Sequence, residues 1–328
     1  MTEETNPAEE PPSGAGRPAA EPCPGGSRCL VAALFSRWRK CASEQKLTPA
    51  KPKRICALTT VRNDPLFVAK WIEHYGAALG RENLFVILDG HDQVPPENAG
   101  GINLLRLPYL PLGRSAGDRR RARVMSHIAA GLYHHFEIAI ATDVDEFLVV
   151  DPKLGLDLAS YLSSRKFPSS VSALGLDVGQ HLRGETPLDT RRPFLAQRQF
   201  AHVSARYTKP CITTRPLVWG SGMHRIKGHN FHIDPHLFLF HLGMVDYERV
   251  TGKTLDPDRL NSGWSGHLAR REKLFEIITQ AEPYEGDAYF PRARSYQTWH
   301  RPFFAWNKPA MIPGNPVIRI PERFRNLL

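Results

Sequence analysis

The chain contains 328 residues, of which 41% are hydrophobic and 23% are charged; this composition is typical of a soluble globular protein with one large α/β domain or two small ones. No stretch approaches the about 18–20 consecutive apolar residues of a transmembrane helix. The formal net charge of +10 would suit a nucleic acid, an anionic lipid surface or a phosphorylated small molecule, so charge alone excludes none of these partners.

The first fifty residues differ in composition from the rest of the chain. Residues 1–28 are mostly Pro, Glu, Gly and Ala and lack the apolar side chains needed to offset the entropy of ordering, which predicts disorder. Residues 29–41 have an apolar and a basic face, as in a helix at a membrane interface or a helix that packs on the main domain. We therefore expect a tail over residues 1–50 without a secretory signal, followed by a folded domain over residues 51–328.

Strands and helices are predicted to alternate from residue 55 onward. The pattern indicates, in order, a buried strand at 55–61, a helix from Asp64 to Gly80, strands at 83–88 and 102–107, a helix at about 118–135 and a strand at 138–142. Asp followed by Pro suits the start of the first helix, and Gly suits its end. This alternation predicts βαβ units, and hence an α/β domain with a mixed, mostly parallel sheet flanked by helices.

Three of the predicted strands end in polar residues. These residues are Arg62, Asn63 and Asp64 after the strand at 55–61, Asp89 after the strand at 83–88, and Asp143 and Asp145 after the strand at 138–142. Open sheets built from βαβ units bind their ligands at the carboxyl ends of the strands. The common location of these residues therefore predicts a ligand site at that edge of the sheet.

Asp143 and Asp145 give the strongest chemical signal. Residues two apart in a strand face the same side, so the two carboxylates would point together if the strand continued through them. Adjacent carboxylates repel unless a cation lies between them, and Mg²⁺ or Mn²⁺ would bind both carboxylate and phosphate oxygens. The alternative is a solvated turn at a strand end, but the apolar FLVV run that follows favours a metal site.

The second half of the chain, residues 153–328, contains short strand-like segments rich in Pro and His, followed by a helix predicted at about 256–281. The five cysteines include no CxxC pair, which argues against a zinc knuckle or a disulfide framework and favours a reduced, cytoplasmic setting. Cys56 and Cys211 lie in apolar, strand-like runs and are predicted to be buried.

Motifs that can be recognised together lie in three segments, at residues 59–80, 88–90 and 141–151. The last of these segments reads ATDVDEFLVVD. They resemble the family 2-like glycosyltransferases of the GT-A fold, in particular a subgroup with a DxDEF motif that is also similar to family 92. Residues 209–224 resemble a later stretch of that subgroup, and His241 stands where the subgroup has a His after an apolar strand. The resemblance covers about residues 55–245.

The resemblance implies a Rossmann-like half over residues 51–152 that binds a nucleotide sugar, and an acceptor half over residues 153–328. Arg62 and Asn63 would border the nucleotide pocket, and Asp89 would contact the base or the ribose. The sequence departs from the family in the three residues that follow Asp89.

The resemblance also implies the metal site. Asp143 would lie near the ribose or the metal ion, and Asp145 would be the main ligand of Mn²⁺ or Mg²⁺. A neutral imidazole from His224 or His241 could complete the metal shell. An inverting transfer also needs a carboxylate as base near the acceptor hydroxyl. The candidates for this base are Asp177 first, then Glu185 and Asp189.

The sequence thus predicts metal-dependent transfer of a sugar from a nucleotide-sugar donor to a glycan or lipid-linked acceptor, with a role in bacterial surface polysaccharide synthesis. We expect a cytoplasmic protein, with peripheral association with the inner face of the membrane as a further expectation. One alternative is a metal-dependent phosphotransferase or phosphatase, which would carry its paired Asp residues after the first strand. The other is a non-catalytic basic protein that binds nucleic acid or membrane, but the basic run at 119–123 lacks the interleaved aromatic residues of a nucleic-acid site.

Overall fold

The computed structural model describes residues 51–253 and 265–328. The predicted tail over residues 1–50, including the amphipathic segment 29–41, lies outside the described residues, and so does the beginning of the helix predicted at 256–281. Among the described residues, no helix is both long and apolar enough to cross a membrane.

The first half follows the predicted order of elements closely. Its elements are β1 (Ile55–Val61), α1 (Pro65–Leu79), β2 (Leu84–Asp89), β3 (Asn103–Leu107), α2 (Arg114–Leu132) and β4 (Ile138–Ala141). The Asp64 side chain accepts a hydrogen bond from the backbone N–H of Phe67 at the start of α1, and Gly80 ends the helix with a φ of 87°. The local signals in the sequence therefore act as expected.

The second half contains more strands than helices. Its elements are β5 (Glu146–Val150), α3 (Leu158–Ser163), β6 (Ser170–Gly179), β7 (Phe200–Val203), β8 (Ile212–Thr213), β9 (Ile233–Met244), α4 (Tyr247–Lys253), α5 (Ser265–Gln280), β10 (Tyr284–Glu285), α6 (Gly286–Trp299) and β11 (Val317–Arg319). Cys56 and Cys211 are both buried free thiols, as predicted.

One mixed sheet of 11 strands runs through the described part of the chain, in the order β10-β11-β7-β6-β8-β4-β1-β2-β3, with β9 paired to both β5 and β6. The strands β3, β2, β1 and β4 are mutually parallel. β8 is antiparallel to both β4 and β6, and thereby joins the two halves. The predicted α/β fold with a mixed sheet is confirmed; its parallel part is concentrated in the first half, and most pairs in the second half are antiparallel.

Helices α1 and α2 cover opposite faces of β1. Ile55 and Ala57 belong to the apolar cluster that includes Trp71 of α1, whereas Cys56 and Leu58 belong to the cluster that includes residues of α2. Alternate side chains of a strand point to opposite faces of the sheet, and here both faces are covered. This arrangement explains why the sequence of β1 is apolar throughout.

Helix α1 also anchors the segment that follows β4. The indole Nε1–H of Trp71 donates to Thr142 Oγ1 at 2.9 Å. The hydroxyl of Tyr75 donates to the backbone carbonyl of Glu146 at 3.3 Å and accepts from the backbone N–H of Leu148 at 2.8 Å. These buried hydrogen bonds fix the backbone on both sides of the turn that contains Asp143.

The strand before Asp143 and Asp145 does not continue through them. β4 ends at Ala141 and β5 begins at Glu146, with a turn between the two strands. The backbone N–H of Glu146 donates to the carbonyl of Asp143 at 3.1 Å, and the backbone N–H of Asp143 donates to Glu146 Oε2 at 3.2 Å. These local hydrogen bonds close the turn, so the orientation of the two aspartates is set by the turn instead of by strand alternation.

Gly175 in β6 allows a close approach of the loop that leads to Lys209. A Cβ atom at this position would lie 2.2 Å from the carbonyl carbon of Tyr207 and 2.3 Å from the amide nitrogen of Thr208. Backbone atoms cannot yield as a flexible side chain can, so we expect Gly175→Ala to lower the free energy of unfolding by about 1–3 kcal/mol. Chemical denaturation of the variant and the wild type measures this difference.

Gly131 provides the matched control, because it lies in helix α2 and a Cβ atom there would have no neighbour within 4 Å. Ala is favoured over Gly inside a helix by about 0.5–1 kcal/mol, so Gly131→Ala should be neutral or slightly stabilising. Equal stability of Gly175→Ala and the wild type would contradict the close approach of the two segments.

Candidate active site

A cleft of ≈ 1040 Å³ opens at the carboxyl ends of the parallel strands. Its lining includes eight of the residues singled out from the sequence, which are Arg62, Asn63, Asp89, Asp143, Asp145, Asp177, His224 and His241. The strand ends therefore meet at one site, as the βαβ pattern indicates. The same cleft also extends to residues of the second half, so both halves contribute to it.

Asp145, His241 and Asp177 form a linear array in this cleft. His241 Nε2 lies 3.3 Å from Asp145 Oδ2, and His241 Nδ1 lies 2.5 Å from Asp177 Oδ1. A carboxylate only accepts hydrogen bonds, so Nδ1 carries the proton that faces Asp177. In a neutral imidazole the lone pair of Nε2 then faces a carboxylate oxygen, which is unfavourable unless a proton or a metal cation lies between them.

The sheet register brings these residues together. His241 on β9 pairs with Asp177 on the parallel strand β6 and with Glu146 on the antiparallel strand β5, next to Asp145. The ring of Tyr207 stacks on the imidazole with centroids 3.9 Å apart and an angle of 14° between the planes. The imidazole, only 2% exposed, is thus held by its strand, by a carboxylate and by an aromatic ring.

Gly243 keeps the space beside this array open. A Cβ atom at position 243 would lie 2.5 Å from Asp145 Oδ2 and 2.7 Å from His241 Nε2. The absence of a side chain therefore leaves room next to the two atoms that can act as metal ligands.

Asp143 belongs to a second, buried cluster. The ammonium Nζ of Lys209 lies 2.6 Å from Asp143 Oδ2 and 2.6 Å from Glu146 Oε1, and Arg121 Nη1 lies 3.6 Å from Asp143 Oδ1. The cations that compensate Asp143 in this structure therefore come from the protein itself. Sequence reasoning placed Asp143 beside Asp145 around one metal ion and gave no role to Lys209.

Burial and charge oppose each other in this cluster. Burial alone would lower the pKa of Lys209, but the carboxylates of Asp143 and Glu146 outweigh it and raise this pKa above its ordinary value. Burial would raise the pKa of Asp143, but Lys209 and Arg121 outweigh it and lower this pKa. Burial raises the pKa of Glu146 to about 7 despite the attraction of Lys209. One lysine therefore pairs with the buried carboxylate of Glu146 and with the partly exposed carboxylate of Asp143.

The first-half wall of the cleft is rich in arginine. The guanidinium carbon of Arg62 lies 3.8 Å from the centroid of the Tyr109 ring, and Arg62 Nη1 donates to the backbone carbonyl of Asp89 at 2.9 Å. Arg120 Nη1 lies 3.2 Å from Asp89 Oδ1. The Asp89 side chain, predicted to contact a nucleotide, is thus held by an arginine while it remains at the cleft surface.

Asn63 and His224 also hold defined positions. Asn63 has a φ of 53°; its backbone N–H donates to Gln93 Oε1 at 2.8 Å, and its Oδ1 accepts from Gln93 Nε2 at 2.9 Å. His224 Nδ1 donates to the backbone carbonyl of Arg206 at 2.9 Å. Burial, reinforced by the charge of Lys209, lowers the pKa of His224 to about 4. His224 is therefore neutral near pH 7, and its Nε2 can accept a hydrogen bond or bind a metal ion.

Two of the three candidates for a base lie elsewhere. Glu185 accepts hydrogen bonds from the backbone N–H groups of His181 and Gln199 at 2.8 and 2.7 Å. Asp189 pairs with Arg191 at 3.0 Å. Neither carboxylate is among the described residues that line the cleft, so the structure does not bring these two residues to the other predicted site residues. Both stabilise loops of the second half.

Within the part of the chain that the structure describes, no group of three or more His, Cys, Asp or Glu side chains is arranged to hold a metal ion by itself. Asp145 and His241 could supply two ligands, and the remaining positions would have to be filled by water or by substrate oxygens. Mg²⁺ is commonly bound in this way, through one or two protein ligands together with substrate phosphates.

No protein-family model matches the chain, and no curated protein matches it. Among solved structures it is similar to the mannosyltransferase PcManGT from Pyrobaculum calidifontis in complex with GDP-Man and Mn²⁺, with 11% identity, 83% of this chain and 96% of that chain covered, and a TM-score of 0.33. It is also similar to a mannose-1-phosphate geranyltransferase from Thermus thermophilus, with 12% identity, 69% of this chain and 67% of that chain covered, and a TM-score of 0.27. At such TM-scores these neighbours carry no weight for the activity, which has to be inferred from the site itself.

Proposed function

We propose that this protein is a glycosyltransferase that uses a nucleotide-sugar donor and a divalent cation, Mn²⁺ or Mg²⁺, and transfers the sugar to a hydroxyl of a glycan or lipid-linked acceptor. The observation that carries the proposal is the Asp145–His241–Asp177 array in a large cleft at the carboxyl ends of parallel strands. Clefts at this edge of a sheet commonly bind nucleotides.

The residues of the array fit a divalent cation. Asp145 Oδ2 and His241 Nε2 are 3.3 Å apart, which is close enough for both atoms to hold one divalent ion. Asp177 would orient His241 through Nδ1, as carboxylates do for many metal-bound histidines. When bound, the ion would neutralise the donor diphosphate and stabilise charge on the departing nucleotide.

The roles of the other predicted residues follow from their contacts. Asp143 is held by Lys209 and Arg121, so we propose that it organises the cleft and orients those two cations instead of acting as a main metal ligand. Asp177 is engaged by His241, so we propose that it is a positioning residue instead of the base. His224 lines the cleft as a neutral imidazole and is available to the donor or to the ion.

Cations of the cleft would bind the donor. Arg62, Arg120, Arg121 and Lys308 line the cleft, and guanidinium groups suit the paired oxygens of phosphate groups. Asp89 would accept a hydrogen bond from a hydroxyl or an N–H of the nucleoside. The donor would thus be held at its diphosphate and at its nucleoside.

The phosphatase alternative is less consistent with the site. That class would require paired Asp residues after β1, where this chain has Arg62 and Asn63, and the acidic turn instead follows β4. The acidic array at the cleft also disfavours a purely electrostatic nucleic-acid site, since carboxylates repel the phosphate backbone.

Ligand-dependent melting temperatures test the proposal. We expect a nucleoside diphosphate such as UDP or GDP to raise the melting temperature when Mn²⁺ is present, and much less after chelation with EDTA. A ligand that binds only the folded state at 100 times its Kd stabilises that state by about 2.7 kcal/mol. Sugar nucleotides should give the same metal dependence.

The matched pair of variants is Asp145→Asn, in the array, and Asp189→Asn, outside the cleft. Asp145→Asn should lose the part of the shift that depends on Mn²⁺, and Asp189→Asn should retain it. If no nucleotide shifts the wild-type melting temperature in the presence of Mn²⁺ or Mg²⁺, the proposed function is wrong.

A further inference from the structure

Four large apolar side chains are exposed close together in the segment 299–306. Phe303 is 95% exposed, Phe304 is 86% exposed and Trp299 is 66% exposed, and Trp306 is also exposed. Single exposed apolar residues are common, but several in one short segment indicate a site of protein or membrane interaction. We call these four side chains the aromatic patch.

The backbone holds the patch in a defined conformation. The backbone N–H of Ala305 donates to the carbonyl of Pro302 at 2.9 Å, and that of Lys308 donates to the carbonyl of Ala305 at 3.0 Å. These hydrogen bonds form a short helical turn that carries Phe303 and Phe304. The two phenyl rings are therefore exposed by a regular turn.

The patch adjoins a second, basic segment. Arg301 Nη1 donates to Asn230 Oδ1 at 2.8 Å, and its guanidinium lies 4.7 Å from the Phe231 ring centroid. Asn307 Nδ2 donates to the carbonyl of Ile226 at 3.2 Å. The loop of residues 225–231 thus lies against the segment that carries the aromatic patch.

The two segments, residues 225–231 and 299–308, carry cations and contain no acidic residues. Residues 204–232 and 296–315 contain no Asp or Glu, and Arg225 and Lys227 are exposed beside the patch. The pKa of Lys308 is lowered, first by burial and then by the charge of Arg225, which is consistent with two cations lying close together.

We infer that the aromatic patch and its basic border dock onto an anionic lipid surface. Phenyl rings have no polar atom, so their transfer from water into the acyl region is favourable. Arg and Lys remain at the level of the anionic headgroups. A second copy of the chain fits less well, because an isologous contact would bring the same cations face to face. The docking surface lies outside the amphipathic segment 29–41, for which the sequence left open a helix at a membrane interface or a helix that packs on the main domain.

The position of the patch relates it to the cleft. Lys308 and Met311, which follow the patch closely in sequence, line the cleft. Docking through the patch would therefore bring this part of the cleft rim to the membrane, where an acceptor carried on a lipid is within reach. That last step rests on the proposed function, whereas the docking itself does not.

Co-sedimentation of the full chain with vesicles tests the docking. We expect binding to vesicles of phosphatidylcholine and phosphatidylglycerol, weaker binding to phosphatidylcholine alone, and a decrease with added salt. Phe303→Ser combined with Phe304→Ser should weaken binding to the anionic vesicles at least about tenfold. The melting temperature should not change, because both side chains are exposed.

A matched double variant, Val94→Ser with Tyr284→Ser, removes two exposed apolar side chains (85% and 50% exposed) outside the patch and should bind like the wild type. All variants retain residues 29–41, so docking through that segment would survive the loss of Phe303 and Phe304. The inference would be overturned if the Phe303 and Phe304 double variant kept its binding to anionic vesicles, or if the wild type did not bind these vesicles. The inference would also be overturned if Phe303→Ser combined with Phe304→Ser left vesicle binding unchanged but abolished self-association of the chain, measured by light scattering.

Discussion

Asp145→Asn should reduce sugar transfer, or hydrolysis of the sugar nucleotide, by a factor of about 10²–10³. The change keeps the size and shape of the side chain but removes the charge that faces His241 Nε2 at 3.3 Å. At the proposed metal site, this change would replace a charged ligand of the divalent cation by a neutral amide. Loss of one preorganised electrostatic element at a transition state costs about this factor.

The measurement compares wild type, Asp145→Asn and Asp143→Asn, each after thorough treatment with EDTA and again after addition of Mn²⁺. Wild-type activity should disappear with EDTA and return with Mn²⁺. Asp143→Asn should lose less activity than Asp145→Asn, because Lys209 remains paired with Glu146. Asp189→Asn, outside the cleft, should keep full activity.

Two results would contradict the assignment of Asp145. One is wild-type activity that persists after chelation, and the other is full activity of Asp145→Asn with an unchanged requirement for Mn²⁺. A melting temperature of Asp145→Asn close to that of the wild type shows that any loss of activity comes from the site and not from unfolding.

Much of the first half could be predicted because its signals are local. The N-cap at Asp64, the glycine at position 80 and the apolar run of β1 each fix one element boundary within a few residues. The βαβ alternation then fixes the parallel pairing of β1, β2 and β4, and hence the edge where polar residues collect.

The site was predictable only in part, because its contacts are distant in sequence. His241 contacts Asp145 and Asp177 through the register of β9 with β5 and β6, which no local pattern specifies. Lys209 precedes β8 and contacts Asp143, which follows the neighbouring strand β4. In sequence it is a single lysine between Thr208 and Pro210. Its only signal was the resemblance of residues 209–224 to a family motif.

The turn at Asp143 shows why a prediction from strand periodicity can fail, since hydrogen bonds within a turn compete with continuation of the strand. Alternation predicts that residues two apart share one face of a strand. Here the backbone N–H groups of Asp143 and Glu146 are satisfied within the turn, so the strand has no need to continue. Asp143 and Asp145 consequently contact different partners, a lysine and a histidine.

Lys209→Met should produce the largest loss of stability among the variants considered. The side chain is 4% exposed and lies 2.6 Å from the carboxylates of both Asp143 and Glu146. Methionine fills a similar volume but leaves the buried carboxylate of Glu146 without its cation, and breaking a buried ion pair from one side costs about 3–5 kcal/mol. The melting temperature should fall by roughly 6–20 °C.

A double-mutant cycle separates the lost charge from lost packing. Glu146→Gln removes one of the two carboxylates that Lys209 serves, so combining it with Lys209→Met leaves only Asp143, which also faces Arg121 at 3.6 Å. The double variant should therefore be less destabilised than the sum of the single variants, by about 1 kcal/mol or more in denaturant unfolding. Additive effects would show that Lys209 and Glu146 are not coupled through their charges.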